Sequence, residues 1–164
     1  ICKALNARSV AIAKDDAEAE QLWVARRSSF ASVSAVAPTI VGEDCTVPRD
    51  KIPEAVADIR KIAKKDDLKI AVQGHAADGN LHATILCDER DPELMVRVEN
   101  AAGEIFKSTL ALGGTLTGEH GIGRVKARYL VLETGTDGLN LMRAIKKTFD
   151  PNNILNPGQF LGEY

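Results

Sequence analysis

Three histidines and a glutamate are spaced in this sequence as the ligands and the base of a metal-dependent site. His75 and His82 lie seven positions apart, and Glu119 is followed directly by His120 within a glycine-rich segment at 113–124. Two imidazoles and one carboxylate bind Zn²⁺, Mn²⁺ or Fe²⁺ and leave a coordination position open for a substrate. The sequence therefore predicts a catalytic type of metal site in which His75, His82 and Glu119 are the ligands.

A β-hairpin is predicted to bring the first two histidines together. The dipeptide Asp78-Gly79 stands between two runs of strand-forming residues, which is a strong short-range signal for a hairpin turn. If these two residues form the loop, His75 pairs directly with His82 on one face of the sheet, with Cβ atoms roughly 5 Å apart. Nitrogen atoms of both rings then reach one ion.

His120 is predicted to be a base rather than a ligand. Successive side chains of an extended segment point to opposite sides, so His120 would point away from Glu119 and face the substrate. A neutral imidazole accepts a proton readily near pH 7. The glycines around this dipeptide allow the backbone to approach other groups closely, which suits a site of this kind.

The elements that must position these residues alternate between strands and helices. Strands are predicted at 9–13, 39–47, 68–74 and 80–87, and helices at 17–32, 51–65, 92–112, 125–133 and 137–148. A hairpin makes the sheet at least partly antiparallel. The pattern therefore indicates an α+β fold, a ferredoxin-like sandwich with a mainly antiparallel sheet plus C-terminal helices.

The two faces of the predicted hairpin differ in polarity. By parity, one face carries Ile70, Val72, Ala83, Ile85 and Cys87. The other face carries Gln73, His75, His82 and Thr84. The first face should belong to the core, and the second, which is unusually polar for a central hairpin, should belong to a functional site.

Composition excludes several classes of protein. The chain has 164 residues, 45% hydrophobic and 27% charged, with a net charge of −2, which is typical of a globular domain. Aromatic residues make up only 4% and no basic patch is present, so nucleic acid is not an expected partner. Three widely separated cysteines, Cys2, Cys45 and Cys87, favour a reduced, cytoplasmic location, with peripheral membrane attachment left open. The absence of an initial Met and the helix-like opening at 1–5 suggest part of a longer protein.

Three ordered motifs in the sequence resemble those of a known family. They are Gly-His-x-x-Asp-Gly-Asn-Leu-His at 74–82, Thr-Gly-Glu-His-Gly-Ile-Gly at 117–123 and Phe-Asp-Pro-Asn-Asn-Ile-Leu-Asn-Pro-Gly at 149–158. Shorter stretches at 22–27 and 43–48 are similar as well. Together they resemble the C-terminal domain of FAD-linked 2-hydroxy-acid oxidases. These are enzymes of the D-lactate dehydrogenase and glycolate oxidase FAD-subunit type within the vanillyl-alcohol oxidase superfamily.

The resemblance implies a role for each candidate residue. The three predicted ligands match the metal ligands of the metal-dependent members, with Zn or Mn as the expected ion. His120 matches the base that takes the proton of the substrate hydroxyl. Arg26 matches an arginine that holds the substrate carboxylate, and Asn156 lies where the tail of the family approaches the flavin.

An activity and a set of partners are implied by the same resemblance. The expected reaction is oxidation of a small 2-hydroxy acid, such as D-lactate or glycolate, to the 2-oxo acid with hydride transfer to FAD. FAD would be bound mainly by an N-terminal domain outside residues 1–164, so this chain is expected to be a substrate or cap domain that is inactive alone. An electron-acceptor protein and a second copy of the chain are further expected partners.

Two other functions are compatible with the residues themselves. A zinc hydrolase would use the same two histidines and glutamate to activate water, with His120 as its base. A non-catalytic ferredoxin-like binding or dimerisation module would need the histidines only as structural residues. A flavin-type spectrum of the whole protein excludes the first of these alternatives, and metal analysis tests the second.

Overall fold

The structure, a computed structural model, describes residues 1–159 and 161 in two compact units, Ile1–Val36 and Ala37–Tyr164. The first unit contains a short 3₁₀ helix and the helix α1, Asp16–Ser34. The Asp15 carboxylate accepts a hydrogen bond from the Glu18 N–H and caps α1, close to the predicted start of the helix at 17. No helix in the described part of the chain is both long and apolar enough to cross a membrane.

Among its described residues, the second unit has a three-stranded antiparallel sheet and three α-helices. Its elements in chain order are β1 (Thr39–Thr46), α2 (Ile52–Lys65), β2 (Lys69–His75), β3 (Asn80–Cys87), α3 (Pro92–Ala111) and α4 (Leu130–Phe149). The strand order is β1-β3-β2, so the hairpin strand β3 lies in the centre. The predicted α+β class with an antiparallel sheet and C-terminal helices is confirmed.

The core lies between one face of this sheet and the helices α2 and α3. Ala83 and Ile85 of β3 are fully buried there against Ile59 of α2 and Val98 of α3. This is the apolar face that the alternation of β2 and β3 predicts, because residues two apart on a strand share a face. The opposite face of the sheet is left for the polar side chains.

The start of α3 has a side-chain cap, whereas the start of α2 has none. The Asp91 carboxylate accepts hydrogen bonds from the N–H groups of Glu93 and Leu94, and Pro92 occupies the first helical turn. The chain enters α2 through a short 3₁₀ helix, Arg49–Lys51, and no side chain caps α2. The start of α2 is set by Pro53, whose fixed φ suits a first turn.

Two predicted elements differ from the structure. Residues 9–13 form no strand in the described first unit, because a lone extended segment there has no neighbouring strand to pair its N–H and C=O groups. The two predicted C-terminal helices are joined in α4, with a break at Gly135, where φ is 67°. A ferredoxin-like sandwich has four strands, whereas the sheet of the described residues has three. The ferredoxin-like architecture therefore stays a prediction.

The hairpin has a longer loop than predicted. Four residues, 76–79, connect β2 to β3, and the register pairs His75 with Asn80 and Gln73 with His82. The predicted direct pairing of the two histidines is therefore wrong. The slip amounts to two residues, which changes the cross-strand neighbour but keeps both histidines on one face. The predicted common face is confirmed.

Glu43 is buried on the core face of β1, with 2% of its surface exposed. Burial raises the pKa of this carboxyl, and the nearby Lys126 ammonium only partly offsets that effect. A carboxyl with a raised folded pKa favours the folded state at low pH and loses that contribution as the pH rises through the folded pKa. Ionised Glu43 should therefore destabilise the fold at neutral pH.

Glu43→Gln is consequently expected to gain stability relative to the wild type as the pH rises from about 4 towards 8. The gain should lie within the range of about 0.5–2 kcal/mol that is typical of stabilising substitutions. Urea unfolding at a series of pH values measures it. Glu54→Gln on the exposed side of α2 is the control, and a difference between Glu43→Gln and wild type that does not vary with pH would contradict the expectation.

Candidate metal centre

The hairpin places two imidazoles side by side on the polar face of the sheet. The ring centroids of His75 and His82 are 5.3 Å apart, with the planes nearly perpendicular. His75 ends β2, and His82 is the third residue of β3. The two rings are therefore diagonal neighbours across the hairpin, a separation that side chains of this length bridge.

The carboxylate of Glu119 completes the group from a distant part of the chain. Its Oε1 lies 3.4 Å from Nε2 of His75 and 3.0 Å from Nε2 of His82. The ligand atoms of all three residues lie within 4.8 Å of one another. The structure thus brings together the three residues that the sequence predicts as ligands.

The two separations from the carboxylate oxygen are those of ion pairs, and they are also compatible with ligands of one divalent ion. Two ligand atoms about 2.1 Å from one ion lie roughly 3.0 Å apart at octahedral angles and roughly 3.4 Å apart at tetrahedral angles. The two carboxylate–imidazole distances, 3.0 and 3.4 Å, fall at these values. The donor set of two nitrogens and one oxygen suits Zn²⁺ or Mn²⁺, and it leaves coordination positions for other molecules.

The surroundings of His82 favour the form of the ring that binds metals. Burial lowers the pKa of His82, and the neighbouring His120 and His75 lower it further, while the Glu119 and Asp44 carboxylates act in the opposite direction. A lowered pKa keeps the imidazole neutral, with a lone pair available on nitrogen. His82 is therefore ready to serve as a ligand at neutral pH.

His120 lies beside the group and does not point away from it. Its ring stacks on that of His82 with centroids 5.1 Å apart, and its Nε2 is 3.9 Å from Oε1 of Glu119. The expectation that Glu119 and His120 point to opposite sides is wrong, because the backbone here is curled rather than extended. With about half of its side chain exposed, His120 remains accessible to a substrate.

A buried aspartate that the ligand pattern missed explains the curl. Asp44 of β1 is 0% exposed, and its carboxylate accepts hydrogen bonds from the backbone N–H groups of Gly118, Glu119 and His120. Burial by itself raises the pKa of Asp44, but these N–H groups outweigh it and hold the pKa well below the usual range. In the sequence, Asp44 appears only within the stretch 43–48 that resembles the family, and its place on the polar face comes from its pairing with His82 in the structure.

Asn80 and Gly118 fit closely around the same carboxylate. The side-chain amide of Asn80 donates to Asp44 Oδ1 at 3.3 Å and to Thr46 Oγ1 at 3.4 Å. A Cβ at position 118 would overlap that amide, so only glycine allows the loop to lie this close. The sequence analysis gives Asn80 no role beyond the start of a strand, whereas the structure places its amide against the Asp44 carboxylate.

Lys126 is hydrogen-bonded to the backbone of β1 at Asp44. Its buried ammonium donates to the main-chain oxygens of Asp44 and Leu116. Burial lowers the pKa of Lys126, and the charges of Asp44 and Glu43 oppose that change. This role of Lys126 could not be predicted from the sequence, because its partners are backbone oxygens distant along the chain.

The two remaining candidate residues lie elsewhere. Arg26 is on the exposed surface of α1 in the first unit, and its role in substrate binding stays a prediction.

Asn156 is exposed in the tail that follows α4, with φ of 50°. The Asp150 carboxylate anchors this tail by accepting hydrogen bonds from Ile154 and Leu155. A single exposed amide does not make a flavin site, so the part of Asn156 in cofactor binding also stays a prediction.

Comparison with known proteins extends over nearly the whole chain. Residues 1–160 match the family described as FAD linked oxidases, C-terminal domain. The glycolate oxidase subunit GlcD of Bacillus subtilis (strain 168) is 47% identical over 163 residues, which are 99% of this chain and 35% of that relative. The subunit of the same name from Escherichia coli (strain K12) is 35% identical over 154 residues, 94% of this chain and 31% of the relative.

A relative with a different name matches as well. The protein named D-lactate dehydrogenase (cytochrome), mitochondrial, of Arabidopsis thaliana is 34% identical over 158 residues. These residues cover 95% of this chain and 28% of that protein. The chain therefore spans about a third of the length of the curated relatives it matches.

Proposed function

Because this chain belongs to the family of FAD linked oxidases, C-terminal domain, we propose that it is the substrate-side domain of an FAD-dependent oxidoreductase. The proposed reaction converts a small 2-hydroxy acid of the D-lactate or glycolate type into the 2-oxo acid. The names of the relatives support this class of substrate, since they are a glycolate oxidase subunit and a D-lactate dehydrogenase.

The observation that carries the proposal is the convergence of His75, His82 and Glu119 with His120 beside them. A divalent ion, Zn²⁺ or Mn²⁺, held by the first three residues would supply Lewis-acid chemistry that makes the substrate hydroxyl more acidic. A 2-hydroxy acid offers such an ion a hydroxyl and a carboxylate oxygen at chelating distance. The open positions of the site therefore match the functional groups of the substrate.

His120 is the group that takes the hydroxyl proton. Its ring is about half exposed, and its Nε2 lies 3.9 Å from Oε1 of Glu119, so this nitrogen is close to the proposed ligands. FAD, when bound to the complete protein, would supply the oxidant that accepts the hydride of the substrate carbon, and His120 would hold the hydroxyl proton as the 2-oxo acid forms. Arg26 is proposed to hold the substrate carboxylate during this step.

FAD is proposed to bind mainly to another part of the complete protein, where Asn156 would contact it. An apolar stripe of α4 supports such a neighbour, because Leu141, Ile145 and Phe149 follow one another at helical spacing and are exposed. Exposed apolar patches of this kind mark interaction surfaces. Two relatives are named as subunits, which further supports assembly with other chains.

Anaerobic mixing of the complete flavoprotein with single hydroxy acids tests this function. D-lactate or glycolate should bleach the absorbance band of the oxidised flavin, and an artificial electron acceptor should restore it. A 3-hydroxy acid is the matched control, because its hydroxyl and carboxylate cannot form the same five-membered chelate. Hydrolysis of esters or amides without any reduction of flavin would favour the zinc hydrolase instead.

A further inference from the structure

We propose that Asp44 positions the dipeptide Glu119-His120 against the two histidines of the hairpin. Asp44 touches neither the metal nor the substrate in this proposal. It acts through the backbone of the dipeptide, and so it is a positioning residue. The identity of the metal centre rests on the function proposed above, whereas the hold that Asp44 exerts on the loop does not.

The contacts of Asp44 converge on its two carboxylate oxygens. Oδ2 accepts hydrogen bonds from the Thr117 hydroxyl at 3.0 Å, from Glu119 N–H at 3.0 Å and from His120 N–H at 2.6 Å. Oδ1 accepts from the Gly118 N–H and from the Asn80 side-chain amide. Each oxygen thus faces donors only, and the charge is compensated inside a fully buried environment.

Three successive N–H groups reach one carboxylate only when the backbone curls around it, as in the anion-binding concavities called nests. In an extended strand, neighbouring N–H groups point in opposite directions. The curl turns the side chains of Glu119 and His120 towards the same side. Removing the carboxylate removes the reason for this conformation.

Asp44 also determines where the curled loop lies. In the antiparallel register of β1 and β3, Asp44 pairs directly with His82 on the polar face. A loop anchored on Asp44 therefore lies beside His82, which explains the 3.0 Å contact of Glu119 and the stacking of His120 on that ring. Two of the proposed metal ligands thus take their relative position from a single strand pairing.

The test compares Zn²⁺ and Mn²⁺ affinity of wild-type protein and Asp44→Asn by titration calorimetry, on protein shown to be folded by circular dichroism. In an asparagine side chain, an NH₂ group would replace one of the two carboxylate oxygens. This group cannot accept the hydrogen bonds that the N–H groups of the loop donate. We expect metal affinity to fall by about 10–100-fold, the usual effect of outer-shell residues. An unchanged affinity in the folded variant would overturn the inference and leave the proposed metal centre intact.

Asp150→Asn is the matched control. Asp150 is also buried, and its carboxylate also accepts two backbone N–H groups of a loop, those of Ile154 and Leu155. Both variants should lose stability, but Asp150→Asn should keep the metal affinity of the wild type. A similar loss of affinity in both variants would show that Asp44 acts only through general stability.

A double-mutant cycle with Glu119→Gln separates positioning from an independent effect. If Asp44 acts through Glu119, the double variant should bind metal no more weakly than Glu119→Gln alone, because coupled residues are not additive. Fully additive losses would overturn the inference. Thr117→Val, which removes one donor to Asp44, is a milder second variant should Asp44→Asn not fold, and it should weaken metal binding by several fold.

Amide hydrogen exchange gives a readout that needs no metal. In Asp44→Asn the amides of Glu119 and His120 should exchange at least tenfold faster, and this factor should exceed the one found for the amides of α3. Unchanged exchange at these two amides would overturn the inference. If wild-type protein binds no metal and still protects these amides, the proposed metal centre fails and the positioning role of Asp44 stands.

Discussion

Replacing His120 by alanine is expected to lower turnover of the complete flavoprotein by about 10²–10⁴-fold, the usual contribution of a general base. Metal and FAD content should stay at wild-type levels, because Nε2 of His120 is 3.9 Å from Glu119 and the ring contributes none of the three grouped ligand atoms. Steady-state kinetics, elemental analysis and the flavin spectrum measure these quantities. The fall should appear equally in kcat and kcat/KM if the contact forms only in the transition state.

Added imidazole provides the control for this variant. About half of the His120 side chain is exposed, so its removal leaves a cavity that opens to solvent. Free imidazole should then recover part of the turnover of His120→Ala, whereas a misfolded variant would not respond. Loss of the metal from His120→Ala, with no rescue, would show that His120 is a ligand.

Glu119→Gln is expected to weaken metal binding by more than about 100-fold, because removing a ligand should exceed the 10–100-fold effect of an outer-shell change. The substitution keeps the shape of the side chain but removes the negative charge that lies 3.0–3.4 Å from both imidazoles. Titration calorimetry with Zn²⁺ and Mn²⁺ measures the affinity. Excess metal should restore part of the activity, since the base remains in place.

Glu133→Gln is the matched control for Glu119→Gln. Glu133 also holds this region through a carboxylate, which accepts a hydrogen bond from Leu116 N–H at 2.9 Å, but it is not one of the grouped ligands. Its variant should bind metal as the wild type does. If Glu119→Gln keeps its metal while His120→Ala loses it, the two roles are exchanged. If neither change affects metal or turnover, the segment is only structural.

The candidate centre is assembled from three separate parts of the second unit. The hairpin supplies two imidazoles, the loop around Glu119 supplies the carboxylate and the base, and β1 supplies the buried anchor for that loop. Each ligand therefore lies on or is tied to the antiparallel sheet. A rigid sheet under a metal site restricts the motion of its ligands, which suits a centre that must orient a substrate.

Features that depend on neighbouring residues could be predicted from the sequence. The caps Asp15 and Asp91 act within their own first turns, so their side chains need no tertiary partner. The division of the hairpin into an apolar and a polar face follows from alternation along each strand. The choice of His75, His82 and Glu119 as candidate ligands likewise follows from the chemistry of their side chains.

The register of the hairpin could not be predicted in the same way. A slip of two residues keeps every side chain on its face, so the alternation that reveals the face says nothing about the cross-strand partner. The loop at 76–79 is fixed partly from outside the hairpin, since Val47 N–H donates to the Gly79 oxygen at 3.1 Å. That contact belongs to the end of β1 and leaves no mark on the hairpin sequence.

The direction of Glu119 and His120 was decided by tertiary structure alone. The donors that hold this loop are backbone N–H groups, which every residue except proline possesses, and so they have no signature in the sequence. Their acceptor, Asp44, lies 74 residues from Gly118 along the chain. The sequence by itself determined which groups could bind a metal and move a proton. Only a buried carboxylate, brought against the loop by strand pairing, determined that those groups face one another.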